Sequence, residues 1–347
     1  MKAGVLLFVT AVCLWASSDP GAVAEANTGL GLAREGKYEL AIAHYRAAIA
    51  LDPHLSGIYL NLGLAYMKLN KFPDAAATFE QAVKADPAGF QARVLLGMSY
   101  YGLRRFDAAA LHLKRAAALQ PENVELRFKL AQSYLWSGQY QDATNEFRLL
   151  LVKDPNSAPV HMLLGEVLDA ANQQEQATAE FEAAVKGTPP EPEAHFGLGY
   201  LYWKQQRFEE ARREFQAELA AQPLHTQALT YLGDAEMHSD DQNAQKPAEQ
   251  HLRRALSLDA NMRLAHLDLG ILLSNRNENA EAVRHLREAI RLDPARPDAH
   301  YRLGRLLRSM GRQQEADAEF AKVQELAKEE PAAPLIKLPG LGSKQVP

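Results

Sequence analysis

The chain repeats itself every 34 residues. The stretch "NLGLAYMKLNKFPDAAATFEQAVKADP" at 61–87 has counterparts along most of its 347 residues. Gly63 is matched by Gly29, Gly97, Ala131, Gly165, Gly199, Gly233, Gly270 and Gly304, at steps of 34 with one of 37 between Gly233 and Gly270. Pro53, Pro87, Pro121, Pro155, Pro189, Pro223 and Pro294 keep the same beat. A third register holds Ala41, Ala75, Ala109, Ala143, Ala177, Ala211, Ala248, Ala282 and Ala316, and the three-residue excess falls in "MHSDDQNAQKPAEQ". A fixed period of this length builds stacked supersecondary units that bury their apolar faces against their neighbours.

Each unit reads as two helices. Within 56–89, Tyr59, Leu62, Tyr66 and Leu69 recur at helical spacing, and Ala75, Phe79, Ala82 and Val83 do so again. The break falls at "NKFP", where the equivalents of Asn70 are Gly36, Gly138, Asn172, Asn277 and Gly311, residues that tolerate the left-handed conformation closing a helix. The prolines end the second helix, because the residue before Pro is pushed out of the α region. Small residues at the Gly63 and Ala75 places let two backbones approach, with Tyr66 and Phe79 filling the space around them. The expectation is an all-α array of helical hairpins.

At these residues the chain resembles the tetratricopeptide repeat (TPR) family: an apolar-Gly pair, an aromatic, two alanines, an aromatic and a Pro over 34 residues. Nine units resemble it, about 22–55, 56–89, 90–123, 124–157, 158–191, 192–225, 226–262, 263–296 and 297–330. Departures are Ala131 for Gly, the insertion in the seventh unit, and Lys328 where Pro is usual. The resemblance implies a right-handed superhelical solenoid whose first helices line a concave groove. It places Leu60, Leu64, Met67, Val94, Met98 and Tyr101 in that groove, with Phe128, Leu135, Trp136 and Met162 following. Phe196, Tyr200 and Trp203 come next, and the ninth unit turns basic with Arg305 and Arg308 beside Tyr301. Solvent-facing positions have no structural need to be apolar, and aromatic residues with Met are enriched at recognition surfaces. The expected partner is another protein, held through an extended or helical segment. The family's version that clamps a C-terminal carboxylate with Lys and Asn is not matched, since Ala26, Leu30, Val94 and Leu95 stand at those places.

Composition fits this frame. A solenoid of 347 residues needs no split into globular domains, because each unit packs on its neighbours. A net charge of −5 from mixed signs lacks the basic stripe of nucleic-acid binders. The N-terminal "MKAGVLLFVTAVCLWASSDPGAVAEA" has Lys2, an apolar run to about Ala16, and "AVA" before Glu25. It reads as a signal peptide of residues 1–24, cut between Ala24 and Glu25. The apolar run is short for a membrane span, so the mature chain is expected in the periplasm or secreted, from a bacterial cell. An uncleaved signal anchoring it in the inner membrane is the alternative. Cys13 follows Val12, where a lipoprotein signal requires a small residue, so lipidation is not expected. The last stretch, 331–347, is rich in Pro and Gly and reads as an extended tail outside the array; its return into a groove, its own or a neighbour's, stays open.

No phosphate loop, nucleophile elbow, paired zinc motif or haem attachment motif occurs. The histidines concentrate instead in two repeat places: His161, His195, His266 and His300 four residues before the marker glycine, and His44, His112, His251 and His285 three places after the marker alanine. Equivalent places in neighbouring helices stand about 8–10 Å apart, too far for one ion. These histidines read as packed between paired helices, and neither metal nor cofactor is expected. Glu166 and Asp169 share a face but form no catalytic set by themselves. The sequence therefore predicts a non-catalytic protein–protein interaction scaffold, acting in envelope assembly or export. The alternative is a regulatory or substrate-presenting subunit of an envelope enzyme such as a glycosyltransferase or peptidase.

Overall fold

A computed structural model of the protein describes residues 19–187, 191–239 and 245–329. Among these, eighteen α-helices follow one another with no strand between them. They group into two compact units, divided at Pro155 and Asn156. The first holds α1 (Pro20–Arg34), α2 (Tyr38–Leu51), α3 (Ser56–Lys68), α4 (Phe72–Ala85), α5 (Phe90–Gly102), α6 (Phe106–Leu119), α7 (Val124–Trp136) and α8 (Tyr140–Lys153). The second holds α9 (Ala158–Ala170), α10 (Gln174–Ala184), α11 (Ala194–Lys204), α12 (Phe208–Ala221) and α13 (Thr226–Met237). It continues with α14 (Gln245–Leu258), α15 (Arg263–Asn275), α16 (Asn279–Leu292), α17 (Pro297–Ser309) and α18 (Gln313–Glu329).

Odd- and even-numbered helices pair as hairpins, and the marker residues explain how. All nine marker alanines, Ala41 through Ala316, are 0% exposed. A Cβ placed on Gly63 would lie 2.4 Å from the Phe79 ring, and one on Gly270 would lie 2.6 Å from Leu286. Those glycines are small because the large residue of the second helix presses onto their backbone.

The turns share one geometry. Gly36, Asn70, Arg104, Gly138, Asn172, Gln206, Asn277 and Gly311 all have φ between 54° and 77°. The next N–H then reaches back to a carbonyl five residues earlier, as Lys71 does to Tyr66 at 2.9 Å and Arg207 to Tyr202 at 2.8 Å. This closes the helix in the Schellman manner. Arg104 and Gln206 hold that place without the residue type that favours it.

Hairpins also stack through their first helices: α1 meets α3 and α3 meets α5 in the first unit, while α9, α11, α13, α15 and α17 follow suit in the second. Of the expected leader, residues 1–18 lie outside the described residues. The junction Ala24–Glu25 falls inside α1, after the N-cap Asp19 and the buried Ala22. The expected tail, 331–347, is also outside the described residues.

Candidate functional site

The inner registers of the first helices form the candidate site of each unit. In the first unit, Leu60, Met67, Val94, Met98, Tyr101, Phe128 and Trp136 are half-buried. Leu64 and Leu135 are instead buried, correcting their assignment to an open surface. Leu64 lies on α3, a helix packed against α2, α4 and α5. Tyr101 meets Phe106 edge-on at 5.4 Å, and Phe106 lies 6.5 Å from Trp136. Lys129 stands over the Tyr101 ring at 4.9 Å and donates to Gln132 Oε1 at 2.9 Å. Burial holds its ammonium below the ordinary lysine range.

The second unit carries acids at the same registers. Met162 and Trp203 are half-buried as expected of groove residues. Phe196 and Tyr200 are buried, a second correction. Phe196 is enclosed by Phe215 at 5.9 Å and His225 at 4.7 Å, and its N–H donates to Glu218 Oε2 at 3.2 Å. Tyr200 stacks on Trp203 at 5.9 Å and meets Tyr231 edge-on at 5.3 Å. Trp203 Nε1 donates to Asp234 Oδ2, while Lys204 is engaged with Asp169. Glu166 is 4% exposed and its Oε1 has no hydrogen-bond partner. Burial first, and the Glu193 charge second, push its carboxyl up to about 8. Burial and the neighbouring Asp234 hold Asp268 well above the carboxylate range. Asp234 is raised by burial too, against the opposing Trp203 bond. Arg305 and Arg308 are exposed; Arg305 lies 6.0 Å over Tyr301, and Arg308 lies 4.5 Å over Phe320 and 3.6 Å from Asp317.

The histidines are organised in a way the sequence reading missed. In four hairpins they face carboxylates nineteen residues apart: His44 with Glu25 at 2.6 Å, His161 with Glu180 at 2.6 Å, His195 with Glu214 at 2.7 Å, and His300 with Glu319 at 2.6 Å. Arg127 and Glu146 fill the same places at 2.6 Å. Other hairpins differ: the third sets Arg93 and His112 at these places, the seventh pairs His251 with Glu236 at 2.8 Å, fifteen residues apart, and the eighth sets His266 Nδ1 2.9 Å from His285 Nδ1. The signal was legible as a correlation between positions i and i+19, but it acquires meaning once the crossing of the two helices is known. Glu25, expected at the cleavage junction, is one member of this series.

Among the described residues, no three His, Cys, Asp or Glu side chains converge as a metal requires, and no helix is long and apolar enough to cross a membrane.

No curated protein matches the chain. Among solved structures, YrrB, described as a TPR protein with an unusual peptide-binding site, is 24% identical over 48% of this chain and 85% of its own, with a TM-score of 0.45. MamA is 22% identical over 48% of this chain and 91% of its own, with a TM-score of 0.45. A further MamA structure, from AMB-1, is 24% identical over 48% of this chain and 90% of its own, with a TM-score of 0.43. Models of the tetratricopeptide repeat match residues 60–124 and 196–263, 100–167, and 297–330, and a TPR repeat model matches 29–70 and 273–311. With these matches running through 29–167, 196–263 and 273–330, the chain belongs to the tetratricopeptide-repeat family.

Proposed function

We propose that the protein is a non-catalytic scaffold whose first-helix faces hold an extended or helical segment of another protein, in assembly or export at the bacterial cell envelope. One observation carries this reading. Met67, Met98, Tyr101, Trp136, Met162 and Trp203 recur at the inner registers and stay half-buried, while the marker positions a few residues away are fully closed. Large flexible and aromatic side chains left part-covered at a repeating place suit recognition better than packing. Each anchor that a partner buries would contribute roughly 1.5–3 kcal/mol before ordering costs, so a few would suffice. The envelope setting rests on the leader-like N-terminus.

The test is a crosslinking pull-down from the native cell envelope with the wild-type chain and a Met98→Gln, Trp136→Gln variant, after circular dichroism shows equal helicity. A partner captured by the wild type and lost with the variant supports the groove. Identical captures would move the search to the outer helices or the termini. Cell fractionation tests the location separately.

A further inference from the structure

We propose that the inner face of the first unit takes an aspartate or glutamate side chain of the partner segment, its carboxylate received by the Lys129 ammonium and the Gln132 amide. This rests on the reading that the first-helix faces bind a protein segment, and it names the chemistry of one contact.

Lys129 is the one charged residue at its repeat place in the first unit, where the earlier hairpins have Asn27, Asn61 and Leu95. It is half-buried. Among the described residues its ammonium meets Gln132 Oε1 at 2.9 Å and the face of Tyr101 at 4.9 Å, and it meets no carboxylate. An acid is near in sequence. Glu125 stands one turn earlier, a spacing at which glutamate and lysine commonly pair on a helix. Lys129 instead reaches over Tyr101 of α5, and Glu125 stays exposed. Partial burial of an ammonium without a counter-charge is costly, and no opposite charge offsets it here.

Gln132 shows what the place lacks. Its Oε1 accepts from Lys129 Nζ and from the Tyr101 hydroxyl at 3.3 Å. An ammonium has no acceptor, so the carbonyl end of the amide must face Lys129 and the NH2 end points away from it. That NH2 has no acceptor among the described residues. Two hydrogens of the ammonium are open as well, since one of its three goes to Gln132. Four N–H donors thus stand together without acceptors. A carboxylate is their complement, being acceptor-only with two oxygens and about four lone-pair sites. A neutral amide would add donors of its own, and a cation would be repelled.

The surroundings say where in the segment the acid lies. Met67 on α3 and Met98 on α5 precede Lys129, while Phe128 and Trp136 flank it on α7, and all four are half-buried. The rings of Tyr101, Phe106 and Trp136 follow one another at 5.4 Å and 6.5 Å. A segment that crosses these residues carries apolar side chains on both sides of its acid. The carboxylate therefore belongs to a residue inside the segment and not to its end.

Four twelve-residue peptides of alanine, leucine and methionine would be titrated into the full chain by calorimetry. Three are blocked at both ends and carry glutamate, glutamine or lysine at one central place; the fourth carries glutamine there and a free C-terminal carboxylate. The glutamate peptide is expected to bind about tenfold more tightly than the blocked glutamine peptide, and the lysine peptide more weakly than either. The advantage of glutamate should shrink as salt rises from about 0.05 to 0.5 M. Lys129→Met should erase the difference between glutamate and glutamine with helicity unchanged, Lys129→Arg should keep it, and Glu125→Gln should leave it intact. The comparison of peptides on the wild type decides the matter even if Lys129→Met misfolds. Equal binding of the glutamate and glutamine peptides, a preference that survives Lys129→Met, tighter binding of the free-ended peptide than of the glutamate peptide, or failure of all four to bind would overturn the carboxylate site. The groove reading is decided apart from these results, by the Met98, Trp136 pull-down.

Discussion

The two units share one scaffold and differ in what they show on it. In both, small marker residues admit the large residue of the second helix, and in both the turns close with the same left-handed residue. Yet the inner face of the first unit runs through Leu60, Met67, Val94, Met98 and Tyr101 to a lone half-buried lysine, Lys129. In the second unit the same registers bring Glu166, Asp169 and Asp234, with Asp268 alongside. The difference teaches that the contacts that close the hairpin and the charge of the inner registers are set by separate positions. The hairpin is determined by the marker glycine, the marker alanine and the residue that presses between them. The inner registers are left free to vary in chemistry, at a cost that appears as raised carboxyls and unpartnered atoms.

If the scaffold is equivalent in both units, its deepest residues must be equally costly to lose. Phe79→Ala and Phe215→Ala each remove a ring that is 0% exposed, and each should destabilise by about 3–5 kcal/mol in chemical denaturation. A large cost in one and a negligible cost in the other would end the equivalence. The next effect is smaller and confined to the second unit. Glu166 has a folded pKa of about 8, above its unfolded value. The folded state thus keeps a proton that the unfolded state releases, so stability falls as pH rises from about 4.5 toward 8. Glu166→Gln should therefore stabilise by roughly 2 kcal/mol at pH 7.5 and by little at pH 4, seen in parallel melts. A gain independent of pH would mean that shape, not charge, limits that place.

The smallest effect concerns the eighth hairpin. Burial first, and His266 second, hold His285 below the ordinary histidine range. Below about pH 6.5 the unfolded chain takes up a proton that the folded hairpin resists, and stability is lost. His285→Glu would recreate the His–Glu pair that four other hairpins hold at these places. It should slow amide exchange in α15 and α16 at pH 5.5 by a few-fold relative to wild type, with little change at pH 8. Unaltered exchange at pH 5.5 would show that the two rings tolerate each other.

Much of this was legible in the sequence because a period repeated nine times leaves few choices of fold. The marker registers predicted the close packing, and six of the eight left-handed turn residues were identifiable by type. Arg104 and Gln206 were not, since their conformation is imposed by the backbone bond back to the preceding helix and not by their own preference. The site was legible in register and not in depth. Whether Trp203 or Tyr200 reaches the surface depends on how far Tyr231 of the next hairpin leans over them, and spacing within one repeat carries no information about that. The burial of Leu64, on a helix packed against α2, α4 and α5, is the same lesson.

The contacts described in each unit have a short reach along the chain. The marker glycine meets its ring sixteen residues later, the histidine meets its glutamate after nineteen, and the first helices touch one period on. A duplication of one whole period therefore inserts a hairpin that already fits both neighbours, with no distant partner to be revised. Length becomes a variable that evolution can change in a single event, and each new copy arrives with inner positions free to diverge. The lysine-bearing and acid-bearing faces are two such copies that differ in charge on one scaffold.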